Sequence, residues 1–134
     1  MNDCRIAIAC WMVALALVGC NAQQDYGPET PVGGLYAMPN PDGTWGVAKV
    51  LAVDKAVLHV RSYANKFAEQ PTEAQITELT MGGPDDPQGT GIGHIPLSKD
   101  GFFADNPVLI KAVPVTDEEL EGYNLYLKAV NQAR

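Results

Sequence analysis

Apolar residues fall into one continuous run near the N-terminus and, past residue 33, into short alternating stretches separated by Gly and Pro. The run over residues 6–18 is shorter than the roughly 20 residues a membrane-crossing helix needs, and Gly19, Cys20 and Asn21 end it. Residues 34–38 read as a strand, and Pro39-Asn40-Pro41-Asp42-Gly43 as a reversal in which Gly43 takes a positive φ. Residues 44–53 form the longest strand, with Trp45, Val47, Lys49, Leu51 and Val53 on one face and Gly46, Ala48, Val50 and Ala52 on the other. A turn at Asp54-Lys55 leads to a partner over residues 56–63, where Leu58 and Val60 alternate with an outward His59 and Arg61; the pair is an antiparallel hairpin.

Beyond Tyr63 the pattern loosens. Thr72 can cap a short helix with Ile76 and Leu79 as its apolar pair, an edge strand being the alternative. Residues 81–93 hold five glycines and two prolines and read as a long loop. Residues 93–97 make a short strand that Pro96 drives to a sheet edge. Ser98-Lys99-Asp100-Gly101 is a turn, Phe102 and Phe103 return to the core, and residues 108–115 are the last strand. Thr116 and Glu119 then spell a capping box ahead of a helix with Leu120, Tyr123, Leu127 and Val130 on one stripe. The expectation is a mainly β domain over residues 34–134: a small barrel or a curved antiparallel sheet of about five strands, closed by a C-terminal α-helix.

The N-terminal run has its own meaning. Arg5 and the terminal amine precede it, and small Gly19 stands before Cys20, the layout of a secretory signal. Leu17-Val18-Gly19-Cys20 resembles the lipobox of bacterial lipoproteins. That resemblance implies a signal peptide over residues 1–19 cut before Cys20, whose thiol carries the lipid (palmitate being the usual label) and anchors the chain to a membrane of the cell envelope. Asn21 is not the aspartate that retains such proteins in the inner membrane of Gram-negative cells, so the resemblance points to the outer membrane there. Residues 20–33 then serve as lipidated end and polar tether.

Charge narrows the partners. The chain carries a net charge of −7, and losing residues 1–19 removes one Asp and one Arg without altering it. Nucleic acid and anionic headgroups are repelled on average. With Cys4 and Cys10 in the signal and Cys20 acylated, the domain has no thiol for a disulfide, a nucleophile or a thiolate metal site.

Little else carries chemistry. His59 and His94 lack metal-ligand spacing and read as a solvated residue and a hydrogen-bonding turn residue. Residues 89–93 lack the lysine and the helix of a phosphate loop. Asp85-Asp86 lacks the alternating oxygens of a calcium loop. Ser62, Ser98 and Thr116 have no base beside them. No catalytic residue, metal or cofactor is expected.

Two further resemblances remain. Trp45-Gly46-Val47-Ala48-Lys49-Val50-Leu51 followed by Val57-Leu58-His59-Val60-Arg61 resembles the central hairpin of SH3-like barrels of the Tudor and agenet sort. Such barrels cage ammonium groups with aromatics at strand ends, which makes Tyr36, Trp45, Tyr63 and Phe67 candidate binding residues; the plainer role for Tyr36 and Trp45 is closing the core. Residues 91–98 (GIGHIPLS) and 118–123 (EELEGY) resemble segments of a group of small bacterial proteins that lends no activity. The expected function is a non-catalytic envelope lipoprotein that binds a protein, peptide or envelope component. The alternative is an inhibitor or immunity lipoprotein that sets its acidic charge against a secreted hydrolase or toxin.

Overall fold

The computed structural model describes residues 30–134. The signal run, the box ending at Cys20 and most of the tether lie outside the described residues. Five strands follow: β1 (Gly34–Pro39), β2 (Trp45–Asp54), β3 (Val57–Ser62), β4 (Ile92–Ser98) and β5 (Val108–Ala112). Helices α1 (Lys99–Ala104) and α2 (Glu121–Gln132) come after β4 and β5, and a single 3-10 turn, Glu73–Ile76, precedes β4. All pairings are antiparallel in the order β4-β3-β2-β1-β5.

β4 and β5 each pair with one strand, so of the two expected forms the open antiparallel sheet of five strands is the one realised, and it does not close into a barrel. The reason lies in the chain after β5, which turns into a helix instead of supplying a strand to bridge the two edges. Pro96 sits on edge strand β4, where its missing N–H is tolerated.

The turns follow from their residues. Asp42 Oδ1 accepts from the Thr44 N–H at 2.9 Å, and Gly43 takes φ 85° in the β1–β2 hairpin. The β2–β3 hairpin turns on Lys55 and Ala56, one residue later than expected, because Asp54 still pairs with Val57. Lys55 accepts φ 50° there. Register also shifts between Val50 and Ala52, leaving Leu51 as the extra residue of a bulge. The expected stripe Trp45, Val47, Lys49, Leu51, Val53 therefore breaks in the middle: one inserted residue reverses parity, and Val53 pairs with Leu58 of the opposite face.

Each face of the sheet is covered by a different element. One buries Tyr36, Ala48, Val50, Leu58 and Val60 beneath Phe102 of α1, with Met38, Ile95, Leu97 and Phe103 around them. Tyr36 and Phe102 meet edge to face at 5.2 Å. α1 replaces the turn expected at residues 98–101: Ser98 Oγ accepts from the Gly101 N–H at 3.0 Å, caps the helix, and so delivers Phe102 onto the sheet.

The other face gathers Leu35, Val47 and Ile76, flanked by Tyr63, Phe67, Leu79, Ile110 and Val113. Ile76 arrives on the short helix predicted after Thr72, realised as a 3-10 turn in which Gln75 Oε1 accepts from the Thr72 N–H at 2.9 Å. The β4 end of this face lies under α2. Gly122 approaches His94 so closely that an added Cβ would stand 2.8 Å from the histidine Cβ.

Candidate binding groove

Strand register places four residues in one row across the second face. Arg61 of β3 pairs with Lys49 of β2, Lys49 with Leu35 of β1, and Leu35 with Lys111 of β5. Register partners in an antiparallel sheet project to the same side. Three of the four positions are therefore basic in a protein of net charge −7.

Over this row lies a groove of about 570 Å³, open to solvent and lined also by residues of the segments 76–81 and 113–119. Its lining is mixed: Leu79, Met81 and Val113 contribute apolar surface, Thr77 and Thr116 hydroxyls, and Glu118 and Glu119 carboxylates. Its volume falls within the range of about 300–1,000 Å³ common for ligand sites.

The three cations of the row meet different fates. Lys49 is 3 % exposed. Its ammonium donates to Glu119 Oε2 at 2.8 Å, to Oε1 at 3.0 Å and to the Pro114 carbonyl at 2.9 Å, which uses all three protons. Lys111 reaches the exposed Glu73 at 3.5 Å. Arg61 donates its Nε–H to the weak acceptor Met81 Sδ at 3.0 Å and lies 5.9 Å from the Tyr63 ring centre. Among the described residues the terminal nitrogens of Arg61 have no hydrogen bond and no carboxylate partner.

Glu119 ties the groove to the C-terminal helix. The predicted capping box forms, with the Thr116 N–H donating to Glu119 Oε2 at 2.9 Å and the Glu119 N–H to Thr116 Oγ at 3.3 Å. Residues 117–120 make a tight turn and α2 proper starts at Glu121. The same carboxylate accepts from Lys49 and, at 3.3 Å, from the Tyr63 hydroxyl. Burial pushes the Glu119 carboxyl up, but the bonds from Lys49, Thr116 and Tyr63 outweigh it and hold it below the usual range. Burial, together with the Glu119 charge, pushes the Tyr63 hydroxyl up to about 12.

The expected roles of the histidines do not survive. His59 is not solvated: it is 1 % exposed. His94 is a strand residue, and its Nε2 lies 2.9 Å from His59 Nδ1. The bulges and the Gly122 approach bring α2 onto this pair, placing the Tyr123 ring 4.6 Å and the Tyr126 ring 5.1 Å from His59. Burial, opposed by the Asp54 charge, lowers the His59 pKa. Burial and the neighbouring His59 lower that of His94. Among the described residues no three His, Cys, Asp or Glu side chains gather into a metal-binding group. The pair serves as a hydrogen-bonded core plug under α2.

The four candidate aromatics do not share a surface. Tyr36 is buried against α1, whereas Tyr63 and Phe67 flank the opposite face. Trp45 exchanges backbone hydrogen bonds with Phe67, at 2.8 and 2.9 Å, and is half-buried. Among the described residues no ring contact joins any two of them. Only Tyr63 lines the groove. Sequence reasoning missed Lys49, Arg61 and Lys111 as a set, because the row exists only in register. One signal was present: a lysine inside the most apolar strand demands a buried acid.

No protein-family model, curated protein or solved structure matches this chain.

Proposed function

We propose that this chain is a lipid-anchored protein of the bacterial cell envelope, carrying a non-catalytic binding domain that engages its partner in the groove over Arg61, Lys49 and Lys111. The observation that carries the binding role is Arg61 itself. A guanidinium with open terminal donors in a groove of mixed lining is a recognition element for an anionic group. Lys49 and Glu119 neutralise one another beneath it and act as scaffold. The anchor rests on Leu17-Val18-Gly19-Cys20 and the apolar run before it.

Two measurements test the two halves. Cells fed a clickable palmitate analogue should label the wild-type chain in the membrane fraction and leave Cys20→Ser unlabelled. A Cys20→Ser chain that still carries the label sinks the anchor. For the groove, a photo-crosslinking amino acid at exposed Thr77 should trap a partner in intact cells, and the same group at Asp105, outside the groove, should not. Equal yields from both positions remove the groove from the interaction.

A further inference from the structure

The basic row has a length as well as a charge. From β3 to β5 it crosses three inter-strand steps, about 14 Å at the usual strand spacing. An extended chain covers that distance in about four residues at 3.3 Å each. The groove is open to solvent and follows this row, with Leu79, Met81 and Val113 as apolar lining and room for an extended segment lying across the sheet.

Charge fixes the head group. Lys49 is saturated, Lys111 spends one of its three protons on Glu73 at 3.5 Å, and Arg61 presents a planar pair of terminal nitrogens that nothing among the described residues accepts. A guanidinium fork matches one carboxylate by two parallel hydrogen bonds. Glu118 and Glu119 also line the groove, so a dianionic head would meet repulsion that a single carboxylate largely escapes.

We propose that the groove captures the C-terminal end of an extended apolar peptide, its free carboxylate on Arg61 and its last residues along the half-buried Leu79 and Val113. This rests on the reading of the groove as the binding surface and adds the chemistry of what enters it. Terminal-carboxylate capture is an established mode of peptide recognition. Here a side-chain guanidinium would replace the usual backbone donors. Thr77 and Thr116 line the groove and offer hydroxyls to the peptide backbone.

The test uses the full chain reconstituted in nanodiscs, with empty nanodiscs as blank, and isothermal titration of acetyl-glycyl-alanyl-valyl-leucine as free acid and as amide. A hydrogen bond to a charged group is worth about 1.5–3 kcal/mol, so the acid should bind at least about tenfold more tightly than the amide. Arg61→Gln should reduce the acid to the level of the amide, and Arg61→Lys should keep part of the difference. Thr77→Trp, at an exposed position, should fill the groove and abolish binding of both while leaving thermal unfolding unchanged. An acid and amide that bind equally, or an Arg61→Gln chain that binds the acid unchanged, overturns the proposal. So does hexanoate binding as tightly as the peptide acid, since a small carboxylate would then suffice. If the peptide fails while crosslinking from Thr77 persists in cells, the terminal carboxylate is wrong and the groove stands. Failure of both removes the groove as well.

Discussion

The two faces of the sheet solve the same burial problem with opposite chemistry. The face under α1 is dry and aromatic, built from Tyr36, Val50, Leu58, Val60 and Phe102. The opposite face is polar at its centre, with a histidine pair beneath α2 and a lysine and a glutamate that line an open groove. A dry core yields stability per area buried and needs no partner. A paired polar core yields position, since each group must find its partner or leave a buried charge alone. The element that moves partners into place, α2, has no fully buried residue of its own and is held by what it touches.

This contrast predicts a ranking of effects. Phe102→Ala should cost most, about 4 kcal/mol, because Phe102 is 2 % exposed and touches both Tyr36 and Phe103; urea unfolding measures it. Glu119→Gln comes next at about 3 kcal/mol, the cost of stranding a buried charge. Lys49→Met on that background should recover most of the loss, whereas no second substitution at a polar site should rescue Phe102→Ala. A pair that fails this cycle is not the organising contact of its face.

Gly122→Ala should be milder. The new methyl meets the His94 Cβ and forces α2 outward, typically 1–3 kcal/mol of overpacking, offset by roughly 1 kcal/mol of gained helix propensity. A net loss of about 1 kcal/mol should appear in unfolding, together with altered Tyr fluorescence from Tyr123 and Tyr126.

The smallest effect is a pH dependence confined to the α2 face. In the unfolded chain both imidazoles titrate near 6.5, and in the fold both are held lower. The unfolded state thus binds more protons in this window, so the stability from the pair is complete above 6.5 and is lost as pH falls towards the folded values. Glu119 adds a second loss below its ordinary 4.5, having the same sign. His94→Gln should flatten the dependence between pH 7 and 5 and leave the lower limb intact. An unchanged upper limb would show that the histidines do not titrate with folding.

Much of the fold was legible in the chain because it depends on neighbours in sequence. The Pro39–Gly43 cluster makes its turn, Pro96 marks an edge strand, Thr116 and Glu119 close their reciprocal box on the turn just ahead of α2, and Ile76 rides a short helix after Thr72. Local misreadings were also local in cause: Ser98 capped a helix where a turn was read, and Leu51 inserted a residue that alternation cannot announce.

The sequence by itself determined that short alternating strands follow residue 33, that a helix comes after the last of them, and that a cysteine follows the apolar run over residues 6–18. Tertiary structure alone decided that the sheet stays open, that His59 meets His94, and that Arg61, Lys49 and Lys111 fall into one row, with the terminal nitrogens of Arg61 unanswered among the described residues. The physical reason is range. Capping and turn formation act over three or four residues, whereas register joins residues 12, 14 and 76 positions apart, and nothing short of the folded pairing tells one parity from the other.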